Sequence, residues 1–149
     1  MNKIHFFTKF LIIYLFFSLN ALATKSNYFE KGKALFDKKN FEESKIFFEK
    51  DIVFNPKSEK SYLYLAKISK KNDNDEQLEM NLNNVLLINP KNDEAIYLLT
   101  ILKIKKSDYD HAKELIETFN IVCKSFCSKK KEVEEKFDKL TPENAKDNN

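Results

Sequence analysis

Apolar residues recur every three to four positions from residue 24 onward, which is the spacing of amphipathic helices rather than strands. Short polar stretches divide this pattern into six consecutive segments. We predict helices at residues 26–38, 41–54, 59–71, 75–88, 93–105 and 109–122. A seventh segment, residues 128–140, has a narrow apolar stripe of Val133, Phe137 and Leu140 that should contact the preceding helices, with a charged opposite face.

The six predicted helices form three pairs that repeat with a period of 34 residues. An Asn-Pro dipeptide follows the second helix at residues 55–56 and the fourth helix at residues 89–90. The same shift superimposes three small residues, Gly32, Ala66 and Thr100, which would let the two helices of a pair approach closely. Because one such pair is too thin to bury its own apolar stripe, we expect the pairs to stack around a continuous core.

The predicted starts of the second helices follow the same period. Each is preceded by a residue that favours the N-cap position, namely Asn40, Asn74 and Asp108. Glu43 and Gln77 stand three residues after the first two of these, as in a capping box. In the third pair, Ser107 with Asp110 is a competing cap.

The repeated residues resemble those of the tetratricopeptide repeat family over about residues 25–126. The first copy has Tyr28, Gly32, Phe41, Phe48 and Pro56 at the family's spacing. The second copy keeps Tyr62, Leu65, Ala66, Leu82 and Pro90, and the third keeps Leu99, Tyr109 and Ala112 without the proline. The chain departs from the family pattern at Asp51, Asp75 and Leu78.

The resemblance implies an all-α fold, a right-handed α-solenoid of three tetratricopeptide-like helix pairs with a C-terminal capping helix. Residues 24–127 would hold the repeats, at about 25–58, 59–92 and 93–126. Residues 128–140 would form the capping helix, and the polar residues 141–149 a disordered tail.

Residues 1–23 have the organisation of a secretory signal peptide. Two lysines precede an apolar run at residues 10–19, and the small-residue triplet Ala-Leu-Ala ends at Ala23. We therefore expect cleavage after Ala23 and a mature chain in the periplasm or outside the cell. An uncleaved membrane anchor is the alternative. The whole apolar stretch after Lys9, about 14 residues long, would span only about 21 Å as a helix, against about 30 Å of hydrocarbon.

Composition narrows the possible functions. All 26 basic residues are lysine, and the single glycine is too few for a fold built on β-turns. Without residues 1–23 the chain has 24 lysines and 23 acidic residues, a balance that does not indicate nucleic-acid binding. There is no glycine-rich phosphate loop, and His111, the only histidine after Ala23, has no nucleophile beside it in sequence. We expect neither catalysis nor a cofactor or metal.

Cys123 and Cys127 are the only cysteines and flank the bend before the last helix. In an exported protein, two thiols at this spacing favour a disulfide. Reduced thiols and a metal or redox role are the alternatives, although no histidine or acidic residue lies nearby in sequence to complete a metal site.

In tetratricopeptide arrays the first helix of each pair lines a concave groove, so the resemblance implies a peptide-binding surface on those helices. By register, the candidate groove residues are Phe29, Lys33, Phe36, Leu63, Lys67, Lys70, Lys71, Tyr97, Ile101 and Lys105. This apolar strip with lysines at its edge would suit a peptide with apolar anchors and acidic flanks. The alternatives are a solvated face for the lysines and inter-repeat core for Phe29, Leu63 and Tyr97. The family's carboxylate clamp uses asparagine, which these positions lack.

The leading hypothesis is a non-catalytic, monomeric protein–protein interaction module in the bacterial periplasm, an adaptor or assembly factor for another protein or peptide. A second hypothesis is a chaperone-like holder of exported chains in envelope, cytochrome or secretion-system maturation. A third is a structural subunit that associates with copies of itself, although the polar last helix argues against stacking at the C-terminal end. An enzyme is the most distant possibility.

Overall fold

The computed structural model describes residues 27–140, and the regular structure in this range is entirely helical. The α-helices are α1 (Tyr28–Asp37), α2 (Phe41–Phe54), α3 (Glu59–Lys71), α4 (Asp75–Ile88), α5 (Asp93–Lys105), α6 (Tyr109–Val122) and α7 (Lys130–Leu140). One turn of 3₁₀ helix, Cys127–Lys129, precedes α7. None of the helices between residues 27 and 140 is long and apolar enough to cross a membrane.

The helix boundaries agree closely with those expected from the sequence. Helices α2 to α6 begin and end at the predicted residues, whereas α1 is shorter than the predicted 26–38 and α7 begins two residues later than residue 128. The predicted signal peptide at residues 1–23 and the predicted tail at 141–149 lie outside the described residues.

The helices pack as three consecutive pairs, which confirms the predicted α-solenoid. The closest packing is within the pairs, α1 with α2, α3 with α4, and α5 with α6. Successive pairs meet where α2 packs on α3 and α4 packs on α5. Helix α7 packs on both α5 and α6, so it takes the place that the first helix of a fourth pair would occupy. It covers the end of the stack, as expected of a capping helix.

The capping helix makes two of its three expected contacts. Val133 is buried in the larger hydrophobic cluster, which spans α3 to α7 and which we call the main core. Phe137 is half-buried against that core and forms a T-shaped ring pair with Tyr109. Leu140 remains exposed because it is the last residue of α7, beyond the surface that the third pair offers.

The small residues at equivalent positions allow the close approach that the sequence suggested. Gly32, Ala66 and Thr100 are all buried. A Cβ atom on Gly32 would lie 2.8 Å from the ring of Phe48, and the Ser44 hydroxyl donates a hydrogen bond of 2.8 Å to the Gly32 carbonyl. Side chains of α2 therefore contact the backbone of α1 directly at this point.

The turn inside each pair has the same geometry in all three copies. The residues in the left-handed backbone region are Lys39 (φ 63°), Asp73 (φ 50°) and Ser107 (φ 59°), spaced by the repeat period. The next backbone N–H donates five residues back, from Asn40 to Leu35, from Asn74 to Ser69, and from Asp108 to Lys103. This is the hydrogen bonding of a Schellman-type helix end, and no glycine serves it in this chain.

Two of the three predicted caps form. The Asn40 and Asn74 side chains accept hydrogen bonds from the backbone N–H of Glu43 and Gln77. The prediction for Asp108 is wrong in this respect, since its side chain makes no capping bond. Its carboxylate instead accepts a hydrogen bond of 2.9 Å from the Lys103 ammonium and lies 2.7 Å from His111 Nδ1. The Asp108 carboxylate thus binds the Lys103 ammonium group instead of the free N–H groups at the start of α6.

Candidate functional site

The first helices of the pairs, α1, α3 and α5, carry the residues predicted to bind a peptide. Phe29 is half-buried, with its ring centroid 5.8 Å from that of Phe48 and 5.7 Å from that of Tyr64. Leu63 is half-buried against the main core. Both side chains therefore support the stacking of pairs and keep part of their surface accessible.

Tyr97, the third member of this row, is only 8% exposed and has little free surface. Its ring lies among Phe119 and Phe126, and its hydroxyl donates a hydrogen bond of 3.0 Å to Glu132 on α7. Because α7 covers this end of the stack, Tyr97 belongs to the core between repeats, which was the alternative interpretation of this residue. Hydrogen bonds from Lys129, Lys136 and Tyr97 lower the pKa of Glu132 to about 2.

Most of the candidate lysines already have partners within the chain. Lys33 pairs with Asp37 at 2.6 Å, Lys67 with Glu94 at 2.9 Å, and Lys105 with Asp75 at 2.7 Å. The Lys71 ammonium lies 4.8 Å from the centroid of the Phe41 ring. Lys70 is exposed and has no ion pair among residues 27–140. The positive edge is thus largely neutralised, and Lys70 is its least engaged cation.

Phe36 and Ile101, the remaining apolar candidates, are half-buried. The Phe36 ring packs edge-on against Phe41 and Tyr64, at 5.2 Å and 4.9 Å between centroids. Ile101 packs against the main core. The part of the predicted groove that remains accessible, which we call the first-helix face, consists of Phe29, Lys33, Phe36, Leu63, Lys67, Lys70, Lys71, Ile101 and Lys105.

The second helices border two crevices that the sequence did not suggest. One, of about 130 Å³, includes Leu65, Ser69 and Gln77 in its lining, and the other, of about 370 Å³, includes Leu99, Lys103 and His111. These residues are equivalent under the 34-residue shift, so the same crevice recurs at both junctions between pairs. In the larger one Glu79 accepts hydrogen bonds from Lys103 and Lys106, which lower its carboxyl pKa.

The bend between α6 and α7 is built around Asp93, the first residue of α5. One carboxylate oxygen of Asp93 accepts hydrogen bonds from the backbone N–H groups of Lys124, Ser125 and Phe126 at 2.7, 2.6 and 2.9 Å. Burial raises the pKa of this carboxyl, but the hydrogen bonds from the three amides outweigh it and leave the pKa lowered. The Cys123 and Cys127 sulfurs lie 2.15 Å apart, at disulfide distance, and bracket this bend.

An equivalent contact orders the bend between the second and third pairs. Glu59 precedes Asp93 by one period and begins α3, as Asp93 begins α5. Its carboxylate accepts hydrogen bonds from the side-chain amides of Asn89 at 2.9 Å and Asn92 at 2.5 Å. In the second and third pairs, an acidic residue at the start of the first helix therefore binds the bend that follows the second helix of the same pair. The third pair does so although its bend contains no proline.

Comparisons with known proteins do not assign the chain to a family. No protein-family model matches the sequence, and no curated protein matches it.

Proposed function

We propose that the protein is a non-catalytic interaction module of the tetratricopeptide type that binds a peptide or an extended protein segment along its first-helix face. The supporting observation is that this face combines half-buried apolar side chains with lysines, of which Lys70 has no acidic partner among residues 27–140. Leu63 and Ile101 supply apolar surface on neighbouring first helices, and Lys67 and Lys70 lie on one face of α3.

The partner should present apolar side chains with acidic residues beside them. Lys67 and Glu94 form an ion pair that joins α3 to α5, and both side chains keep about a quarter of their surface accessible. An acidic group of the partner would compete with Glu94 for Lys67 and would meet Lys70 without displacing any internal acid. Partly exposed pairs of this kind contribute little to stability, so exchanging one carboxylate for another costs little.

The compartment proposed for this binding is the periplasm or the cell exterior. Its support is the signal-like sequence of residues 1–23 together with the two cysteine sulfurs at disulfide distance, since disulfides persist in oxidising compartments. A chain processed after Ala23 would begin shortly before α1.

The experiment compares two triple variants of equal charge change in crosslinking and pull-down from periplasmic extract. The test variant is Lys67→Glu, Lys70→Glu and Lys71→Glu on α3. The matched control reverses three exposed lysines elsewhere, Lys38, Lys113 and Lys139. We expect the α3 variant to lose its captured partner and the control to retain it. Equal capture by the two variants would remove the first-helix face from the proposal.

The proteins captured in this pull-down also distinguish the alternative functions. An adaptor should yield one stoichiometric partner, whereas a chaperone-like holder should yield many unfolded clients. Light scattering on the purified protein should show a monomer, and a concentration-dependent oligomer would favour the self-associating subunit instead.

A further inference from the structure

The second helices expose a ladder of apolar side chains at their C-terminal ends. Val53, Leu87 and Ile121 are 73%, 82% and 83% exposed and stand one repeat period apart on α2, α4 and α6. Phe54, beside Val53, is 68% exposed. Large aliphatic side chains at one equivalent position of each second helix recur regularly along the stack, unlike the scattered exposed residues of ordinary surfaces.

The charged side chains that belong to the bends after this row are all lysines. The three five-residue segments that begin with the ladder residues read VFNPK, LINPK and IVCKS. Their charged residues are Lys57, Lys91 and Lys124, all exposed. The carboxylates of Glu59 and Asp93 lie against the second and third bends and accept hydrogen bonds from them. Both acids are half-buried, whereas the three lysines are exposed.

The folded part of the chain begins at this same edge. Tyr28, the first residue of α1, stacks on Phe54 with 5.5 Å between ring centroids. Residues 1–26, with the apolar run at 10–19, are therefore joined to the edge that carries the ladder. Before cleavage after Ala23, a membrane attachment through that run would hold this edge near the bilayer.

We propose that this edge, formed by Val53, Phe54, Leu87, Ile121, Lys57, Lys91 and Lys124, docks on the surface of a bilayer that contains anionic phospholipid. The apolar side chains enter the headgroup region, and the lysines bind lipid phosphates. A second copy of the chain is a poor occupant, because two copies facing each other here would oppose their lysines. This surface belongs to the second helices and the bends, so it is independent of the proposed peptide-binding face.

The test uses tryptophan fluorescence, since the chain contains no tryptophan of its own. The full chain carrying Leu87→Trp is mixed with vesicles of phosphatidylglycerol and phosphatidylcholine, or of phosphatidylcholine alone. The matched control is Met80→Trp, also exposed on α4 but two turns farther from the edge. We expect a blue shift and quenching by brominated lipid for Trp at position 87 with anionic vesicles, and neither change at position 80.

Three results would overturn the proposal. They are an unchanged spectrum at position 87 with anionic vesicles, equal changes at positions 80 and 87, and a blue shift at 87 that grows with protein concentration without vesicles. The second would indicate insertion through residues 1–26 alone, and the third would indicate self-association.

Lysine substitutions test the electrostatic part separately. In the Leu87→Trp background, replacing Lys57, Lys91 and Lys124 by glutamine should weaken binding to anionic vesicles by on the order of a hundredfold, since each lysine near an anionic surface contributes several-fold. Replacing Lys38, Lys113 and Lys139 by glutamine should leave binding within a few-fold. Equal loss in the two triple variants contradicts docking through this edge.

Discussion

The Asp93 carboxylate accepts a hydrogen bond of 2.6 Å from the backbone N–H of Ser125, 32 residues later in the chain. The flanking N–H groups of Lys124 and Phe126 bind the same oxygen. This contact fixes the bend that brings α7 back over the third pair, where it buries Tyr97 and Val133. Asp93 thus connects the start of the third pair to the bend that places α7 over the end of the stack.

Replacing Asp93 by asparagine should lower the free energy of unfolding by about 1–2 kcal/mol at neutral pH, because charge-assisted hydrogen bonds to three amides are lost or weakened. Urea unfolding followed by circular dichroism measures this difference. The matched control is Asp110→Asn, which changes the same charge at an exposed position and should shift stability by less than about 0.5 kcal/mol.

The effect of Asp93 should also depend on pH. Its pKa in the folded protein lies below the value of about 3.9 expected for the unfolded chain. Stability from the ionised carboxylate is therefore complete above that value and is lost as the pH falls through the folded pKa. The stability difference between the wild type and Asp93→Asn should shrink in acid, and a difference that is constant from pH 7 to pH 2 contradicts this account.

Replacing Gly32 by alanine should destabilise the first pair. The new Cβ would lie 2.8 Å from the Phe48 ring, whose side chain is fully buried, so α1 must move away from α2 at a cost of about 1–3 kcal/mol. The double variant with Phe48→Leu provides the control. If the clash is the cause, adding Gly32→Ala to Phe48→Leu costs less than adding it to the wild type. Strict additivity in urea unfolding would show that the ring is not the obstacle.

Replacing Lys39 by glycine should stabilise the protein by about 0.5–1 kcal/mol. Lys39 has φ 63°, and this left-handed conformation is strained for a residue with a Cβ atom but not for glycine. The neighbouring substitution Lys38→Gly is the control, because Lys38 has φ −81° and glycine relieves no strain there. Glycine at position 38 should only increase the conformational freedom of the unfolded chain and so destabilise the protein. Thermal unfolding should place the two variants on opposite sides of the wild type, and a shift of both in the same direction would refute the explanation.

Thiol labelling of the protein purified without reductant should find no reactive cysteine before reduction and two after it, because Cys123 and Cys127 are paired with each other across the bend. Reduction should cost about 2 kcal/mol, as expected for a short closed loop in the chain-entropy model. Two thiols labelled in the untreated protein would mean that the pair is reduced and that the bend forms without a disulfide.

The helices and their register followed from the sequence because both are local or periodic properties. Apolar spacing fixed the ends of α2 to α6, and the 34-residue period identified Gly32, Ala66 and Thr100 as contact points. The exposed ladder also has a sequence signal, since Val53, Leu87 and Ile121 share one position of the repeat.

Other features required coordinates because they depend on contacts between distant residues. Nothing near Asp93 in the sequence indicates that amides about 30 residues later bind it. The burial of Tyr97 depends on how α7 docks, and the partners of Lys67 and Lys105 come from neighbouring pairs. Side-chain periodicity also could not show that Asp108 binds Lys103 rather than capping α6.

The most direct measurement of the proposed binding is site-specific photocrosslinking in cells, with a photoreactive residue at Leu63 on the first-helix face and, as the control, at Glu117 on the exposed surface of α6. The account predicts a discrete crosslinked product with another protein from position 63 and none from position 117. A product from position 117 alone, or no product from position 63, would contradict it.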